Sequence, residues 1–553
     1  MLPINVIQDS FKVIYPNQAL QPENNTFLTG LVRGSWILMG LLVTVQCIRY
    51  PNLINLIAIA YVAFAWLFNA GIFLKPAVLK NYPLSSFLII GFTCTQFYFP
   101  LLFTTIEGKP LINNLQLPQE VFFHSILALL ILICMHALYR SITYQRITKP
   151  SRGPKTFRKL GFFEPPSDLQ VWLMGMFGLG AMFYTSFILK DGGNTEEGVV
   201  GKVMDVLMSF TYAPFFIPFG KLYGQKHAKT KGLATKLLLF TVLLFLISIG
   251  RNSRGSFMIG FTSLGFAFGL GLMLGIIKAR LFSIKYALIA SVAIWLLTGP
   301  FSDLGNAMVV VRHQRNDIPK SEFIKLTLDA FKDKKLLRDY VMEVKTNVSD
   351  WDEKYLDNIF LARFCNIKFN DASLVFASQI PRDNDEVRIF SINRIWSTFP
   401  QPILSILHPN MDKIQVNGMS FGDCLRYQVN KSHYNLGSYV TGHLSGTGMA
   451  AFGWWYLLIL AISILPVYFL MDIFHVRRFV FAGPRGQYAG IERRFSLCVL
   501  LNLNAIFQFL PSESVVSILQ YLIRGWFQMV FLYLILFYLT RTISRLLKTY
   551  LHL

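Results

Sequence analysis

Two arginines carry the first suggestion of chemistry. Arg251 and Arg254 lie three residues apart in GRNSRGSF, where the uncharged run 237–250 ends and another apolar run, 256–277, begins at once. So short a connector predicts a tight hairpin holding two guanidinium groups at one rim of a membrane. An arginine at the bilayer centre costs on the order of 3 kcal/mol or more, so such a pair either snorkels to headgroups or serves a ligand. The guanidinium is planar, permanently charged and able to grip phosphate oxygens two at a time. A phosphate-bearing lipid is therefore the ligand it would suit.

More cations follow downstream. Arg312, His313 and Arg315 stand in VVVRHQRND, and Arg363, Arg382, Arg388, Arg394 and Arg426 come after them. Two readings stay open for this group. The arginines could pair with Asp303, Asp317, Asp371, Asp383, Asp385, Glu386 and Asp423, or converge with Arg251 and Arg254 on phosphate. The hairpin pair has no acid close in sequence, which favours a ligand for the group as a whole. A proton acceptor would come from His313, His408, His433, His443 or an acid. His313 sits between two arginines, which favour its neutral form, and His443 stands in GHLSGTG where the chain returns to apolar sequence. Trp351, Trp396, Tyr434 and Tyr439 offer flat faces for sugars, with Asn366, Asn393, Asn435 and Gln428 as polar edges. Cys365 and Cys424 share this segment and could pair as a disulfide. The sequence has no cysteine or histidine spacing that reads as a metal site, no glycine-rich phosphate cradle and no Gly-x-Ser-x-Gly nucleophile.

The elements that must position these groups are membrane helices. Hydrophobic residues make up 53% of the chain, charged residues 15%, and mean hydropathy is +0.46, a balance that points to a polytopic membrane protein. The net charge of +22 lies mostly in short connectors, so it is a topology signal rather than a nucleic-acid footprint. Apolar windows fall near 31–48, 52–74, 84–104, 121–139, 170–189, 203–220, 237–250, 256–277, 286–302, 449–471, 495–511 and 524–540. They predict an all-α bundle of about twelve spans. Basic clusters alternate between connectors: Lys75 and Lys80; Arg140 to Lys159; Lys221 to Lys236; Lys278 to Lys285; Arg477 to Arg494; Arg541 to Lys548. The positive-inside rule makes those connectors and both termini cytoplasmic, and so turns Arg251 and Arg254 outward. The N-terminus lacks the pattern of a cleaved signal peptide, so the first span is expected to act as the insertion signal. The chain divides into an N-terminal bundle (1–300), a long outer loop (301–447) and C-terminal spans (448–553). Within the loop Ile324, Leu328 and Phe331, then Leu337, Val341 and Val344, recur at helical spacing, predicting amphipathic helices that cap the bundle.

Taken together, GRNSRGSFMIGF at a span boundary, a long arginine-bearing outer loop and GTGMAAFGWWYLLIL at the next span resemble the bacterial O-antigen and exopolysaccharide repeat-unit polymerases. Ser253, Arg254 and Gly255 match that family's Ser-Arg-Gly turn. Phe452, Gly453, Trp454 and Trp455 match its Phe-Gly-x-x-Gly segment, with Tyr456 where glycine is frequent. IFSINRIWSTFPQPI is similar to its Pro-Arg-x-x-Trp-x-x-Lys-Pro segment, departing at Asn393 and Phe399. The resemblance covers mainly residues 237–471.

It implies a bundle like the GT-C type glycosyltransferases and a glycosyl transfer at the outer face of the bacterial inner membrane. A chain held on undecaprenyl diphosphate would pass to the terminal sugar of another lipid-linked repeat unit, with no nucleotide or metal cofactor. Arg251 and Arg254 would hold one diphosphate; Arg312, Arg315, Arg363 and Arg394 would hold the other or acidic sugars; His313 or His443 would be the base. The implied partners are the undecaprenyl-diphosphate-linked oligosaccharide, membrane lipids and a chain-length regulator. Two competing readings are an O-antigen ligase and, from a different class, a polysaccharide or lipid transporter, for which Gly180, Pro214 and Pro218 would supply broken helices.

Overall fold

A computed structural model describes residues 25–147, 154–188, 199–225, 232–251, 254–278, 299–311, 318–339, 354–381, 383–431, 440–482, 487–508 and 513–551, together with 288, 291, 292, 295 and 296. Among the described residues eight helices are long and apolar enough to cross a membrane: Thr26–Arg49, Leu53–Phe73, Pro83–Ile106, Pro118–Tyr144, Asp168–Ile188, Leu233–Gly250, Trp455–Asp472 and Val515–Tyr550. The helix Arg254–Met273 adds a shorter apolar segment, Met258–Met273. The all-α expectation misses one feature. His475–Ala482 and Gln487–Phe495 pair as an antiparallel hairpin in the most basic of the connectors between the last spans.

Pro83–Ile106 is the axis of the bundle. Every residue from Tyr82 to Tyr98 is buried, as expected of a helix that is apolar on all sides. At Gly91 an added Cβ would lie 1.8 Å from the carbonyl oxygen of Phe507, so glycine lets another chain segment cross against the backbone. One wide, π-type turn, Cys94–Tyr98, interrupts the same helix. There the amide of Phe99 donates to Cys94, and Pro100, five residues after Thr95, has no N–H to give. The Thr95 carbonyl instead accepts the backbone N–H of Asn366, 3.0 Å away, from the long loop.

Two of the apolar windows take forms that hydropathy alone does not foretell. The window near 203–220 is an α-helix, Val199–Leu207, continued by a 3-10 helix, Met208–Tyr223, containing Pro214 and Pro218. It lies against Asp168–Phe183 through Gly175 and Gly178, where a Cβ would meet Pro214 Cγ at 2.3 Å and the Thr211 nitrogen at 2.2 Å. The window near 495–511 folds as two short buried helices, Leu497–Leu500 and Leu503–Phe507.

The loop after the ninth window is built onto the bundle. Pro300–Val310 pairs with Lys320–Lys332, whose apolar stripe Ile324, Leu328 and Phe331 packs on Ile249, Leu304 and Met308. The three stripe residues are partly buried there, so each contributes less than the roughly 1.5–3 kcal/mol of a fully buried side chain. Leu337 is buried as well, while Val341 and Val344 lie outside the described residues. Farther on, Ile367–Gln379 packs against Leu444–Phe452 and Pro118–Ile147. Its Asp371 accepts the backbone N–H groups of Gln116 and Leu117 at 2.9 and 2.8 Å and pairs with Lys368 Nζ at 3.1 Å. Both charged side chains are buried, so each depends on the other. Cys365 and Cys424 are separate buried thiols in two different apolar clusters, which corrects the expectation of a disulfide between them.

Candidate functional site

The arginine turn is anchored from three sides. Gly250 ends the Leu233–Gly250 helix, and a Cβ there would come within 2.4 Å of Phe187, so the helix end presses on the end of Asp168–Ile188. Arg251 follows as the cap. Its half-buried guanidinium turns back between helices, with Nη1 2.8 Å from Met208 Sδ at the start of the 3-10 helix. Tyr212 of that helix donates its hydroxyl to the carbonyl of Ser256 at 2.6 Å and so fixes the opening of the next helix. That helix begins at Arg254, so its N-terminus shares this end with Arg251. The side chain of Arg254 lies outside the described residues, as do Arg312, His313 and Arg315.

Arg363 is exposed and closes the short helix Ile359–Ala362. That helix touches Pro300–Val310, which pairs with Lys320–Lys332, which in turn leans on Leu233–Gly250. Arg363 and Arg251 thus flank one group of loop helices. Arg394 sits elsewhere, on Glu386–Trp396. It donates to Asn417 Oδ1 at 3.0 Å and the Val416 carbonyl at 3.3 Å, and its guanidinium lies 5.5 Å over the Phe421 ring. Glu513 is near it: burial pushes that carboxyl up, and Arg394 pulls the other way.

His443 is buried at the start of Leu444–Phe452. Its Nδ1 accepts the amide of Ser445 at 3.3 Å and its Nε2 meets the side-chain amide of Gln96 at 2.8 Å, in the wide turn of the axial helix. Burial pushes the imidazole down to about 3, so the ring is neutral. The Gln96 nitrogen faces the ring, while the Gln96 oxygen lies 3.5 Å from Ser125 Oγ. Asn370 and Ser125 extend this buried polar chain, Asn370 Nδ2 donating to Ser125 Oγ at 3.0 Å. In this geometry His443 holds the helix opening, with both ring nitrogens engaged inside the protein.

One site was not anticipated. A cavity of about 960 Å³ opens beside the break between Leu444–Phe452 and Trp455–Asp472, and Glu120, His124, Asp385, Arg388, Trp454 and Trp455 are among its walls. Gly453 makes the break, with φ +55°, a conformation that disfavours any side chain. Trp454 then lies over the His124 ring, their centroids 4.9 Å apart and planes 9° from parallel. His124 Nδ1 is 2.7 Å from the hydroxyl of Tyr456, and its Nε2 is 3.7 Å from Glu120. Tyr456 packs over Gly448, where an added Cβ would meet the tyrosine Cβ at 2.6 Å. Exposed indoles beside a carboxylate and an imidazole can stack a sugar ring and take hydrogen bonds from its hydroxyls. The signal in the sequence was His124 itself, an ionisable residue inside an apolar run. Among the described residues no cluster of three His, Cys, Asp or Glu side chains could hold a metal ion. Comparison with protein-family models, with curated proteins and with solved structures finds no match.

Proposed function

We propose that the chain is a membrane glycosyltransferase that polymerises undecaprenyl-diphosphate-linked oligosaccharide repeat units at the outer face of a bacterial inner membrane. In this reading the bundle has about twelve crossings, is of GT-C type and keeps both termini in the cytoplasm. The observation that carries the proposal is the arginine turn. Arg251 points back into the protein beside Met208, at the end where the helix starting with Arg254 has its N-terminus. Permanent cations and helix N–H groups together suit a diphosphate.

The reaction asks little else of the protein. An acceptor hydroxyl oxygen bonds to the anomeric carbon of the donor as the bond from that carbon to the diphosphate oxygen breaks. The electron pair leaves with the diphosphate, whose charge Arg251 and Arg254 stabilise. The hydroxyl proton passes to a base, for which His313 is the proposed residue, while His443 positions the helix below the acceptor cavity. Arg312, Arg315 and Arg363 would hold the second lipid-linked substrate, and Arg394 would brace the loop through Asn417. The cavity beside Trp454 would seat the acceptor sugars. A chain-length regulator would act from outside these sites.

Arg254→Ala is expected to abolish chain lengthening while leaving expression and membrane insertion intact, read from the length distribution of the surface polysaccharide. Arg254→Lys should recover less than about a tenth of the activity, because an ammonium cannot form the bidentate contact. A wild-type length distribution in Arg254→Ala removes this assignment. Purified protein given lipid-linked repeat units alone distinguishes the rivals: a polymerase lengthens them, whereas a ligase without its core acceptor does not. A transporter, which the proline-bearing Met208–Tyr223 helix would suit, also leaves them unchanged.

A further inference from the structure

The helices that meet at the arginine turn also share their other ends. Met208–Tyr223 runs from Met208, beside Arg251, to Lys221, and Arg254–Met273 runs from Arg254 to the turn before Lys278. A helix of that second length spans about 30 Å. At the far end lies a second cavity, of about 860 Å³, within the range of small-molecule sites. Four cations from four separate segments line it: Lys80, Lys221, Lys278 and Arg493. Lys80 is 5% exposed, an uncommon burial for an ammonium group.

The features that would repel an anion here are already engaged. Among the described residues Glu492 is the one carboxylate in the lining, and Arg494, which is outside the lining, holds it at 3.1 Å. The C-terminal carbonyls of Arg254–Met273 would present negative potential. Asn25 Nδ2 donates to two of them, at 3.1 Å to Leu272 and 2.6 Å to Met273. Nearby, burial first and then the charges of Arg477 and Arg493 push the His475 imidazole well below its usual range.

We propose that this cavity binds a phosphate-bearing group, at the opposite end of the bundle from the arginine turn. Two sources share that chemistry, the headgroup of an anionic phospholipid and a free phosphate or pyrophosphate. Basic pockets between membrane helices recognise phosphate headgroups by the same combination of cations and shape. The site stands apart from the polymerase reading, since its test reads binding alone.

The test uses the full chain purified in detergent, as wild type, as Lys221→Gln/Lys278→Gln, and as Lys155→Gln/Arg158→Gln, a control pair on the short helix Lys155–Lys159. Native mass spectrometry measures retention of phosphatidylglycerol against phosphatidylcholine, and thermal shift measures stabilisation by inorganic pyrophosphate. Preferential retention of phosphatidylglycerol that falls roughly tenfold or more in the cavity variant, and not in the control, supports a lipid headgroup. Pyrophosphate stabilisation lost in the same pattern supports a soluble ligand. Equal binding by wild type and cavity variant, or neither preference for the anionic lipid nor response to pyrophosphate, overturns the proposal. Both lysines are exposed, so the double variant does not depend on replacing a buried group.

Discussion

The imidazole of His124 lies flat on the indole of Trp454, joining a membrane helix near the start of the chain to a helix break more than three hundred residues later. The stack leaves the other indole face toward the cavity and makes Trp454 a preorganised wall. If that wall seats acceptor sugars, Trp454→Ala should raise the KM for lipid-linked acceptor roughly three- to tenfold with a smaller change in kcat. His124→Phe keeps a flat partner for the indole but loses the contact with Tyr456. It should therefore leave acceptor KM closer to wild type than Trp454→Ala does. Steady-state assays of both variants check the ordering.

The buried ion pair Lys368–Asp371 ties the loop to the start of Pro118–Ile147. Asp371→Ala leaves the buried Lys368 ammonium with the Asn114 carbonyl but no counter-charge, strands two backbone N–H groups, and should destabilise the fold by about 3–5 kcal/mol. A marked fall in the detergent melting temperature is the expected readout. Asp371→Asn, which keeps an acceptor for the N–H groups, should fall less.

Helix Leu444–Phe452 approaches Ile367–Gln379 so closely that a Cβ on Gly446 would lie 2.2 Å from the carbonyl carbon of Ser373. Backbone cannot step aside as a flexible side chain can. Gly446→Ala should cost about 1–3 kcal/mol, measured as a lowered melting temperature, whereas Gly180→Ala, with open space around it, should be close to neutral.

Glu513 gives a pH prediction whose sign follows from burial. Its carboxyl is pushed above the ordinary value of 4.5 by desolvation, with Arg394 opposing and Asp423 adding to the rise. The folded state therefore holds this proton more tightly than the unfolded chain, and this group's contribution to stability declines as pH rises through the window just above 4.5. Glu513→Gln should flatten that part of the stability profile, as followed by thermal melts across buffers from mildly acidic to neutral.

Much of the architecture was legible because apolar runs of membrane length have few alternatives. The helices Thr26–Arg49, Leu53–Phe73, Pro118–Tyr144 and Leu233–Gly250 fall where hydropathy puts them, and the stripe Ile324, Leu328 and Phe331 packs as its spacing predicts. Hydropathy did not reveal how Pro214 and Pro218 are accommodated. It also could not show that 495–511 would fold as two short helices, because a buried segment and a crossing segment are equally apolar. The arginine turn was visible as a local pattern. The pairings of His124 with Trp454 and of His443 with Gln96 were not, since each joins residues hundreds of positions apart and depends on how helices face one another. Arg394 read as a ligand candidate from its type alone, and only its neighbours Asn417 and Phe421 show that it also serves the loop.

The widened turn at Cys94–Tyr98 makes the axial helix a gauge as well as a scaffold. Because Pro100 cannot answer the Thr95 carbonyl, the covering segment is latched by Asn366 at a single height along that helix. Removing one residue there would close the wide turn to ordinary winding, leaving the flanking helix halves near their present facing while redirecting the side chains of the turn itself. Gln96 would be carried away from His443 in the same movement, so the roof and the floor beneath it would come unlatched together.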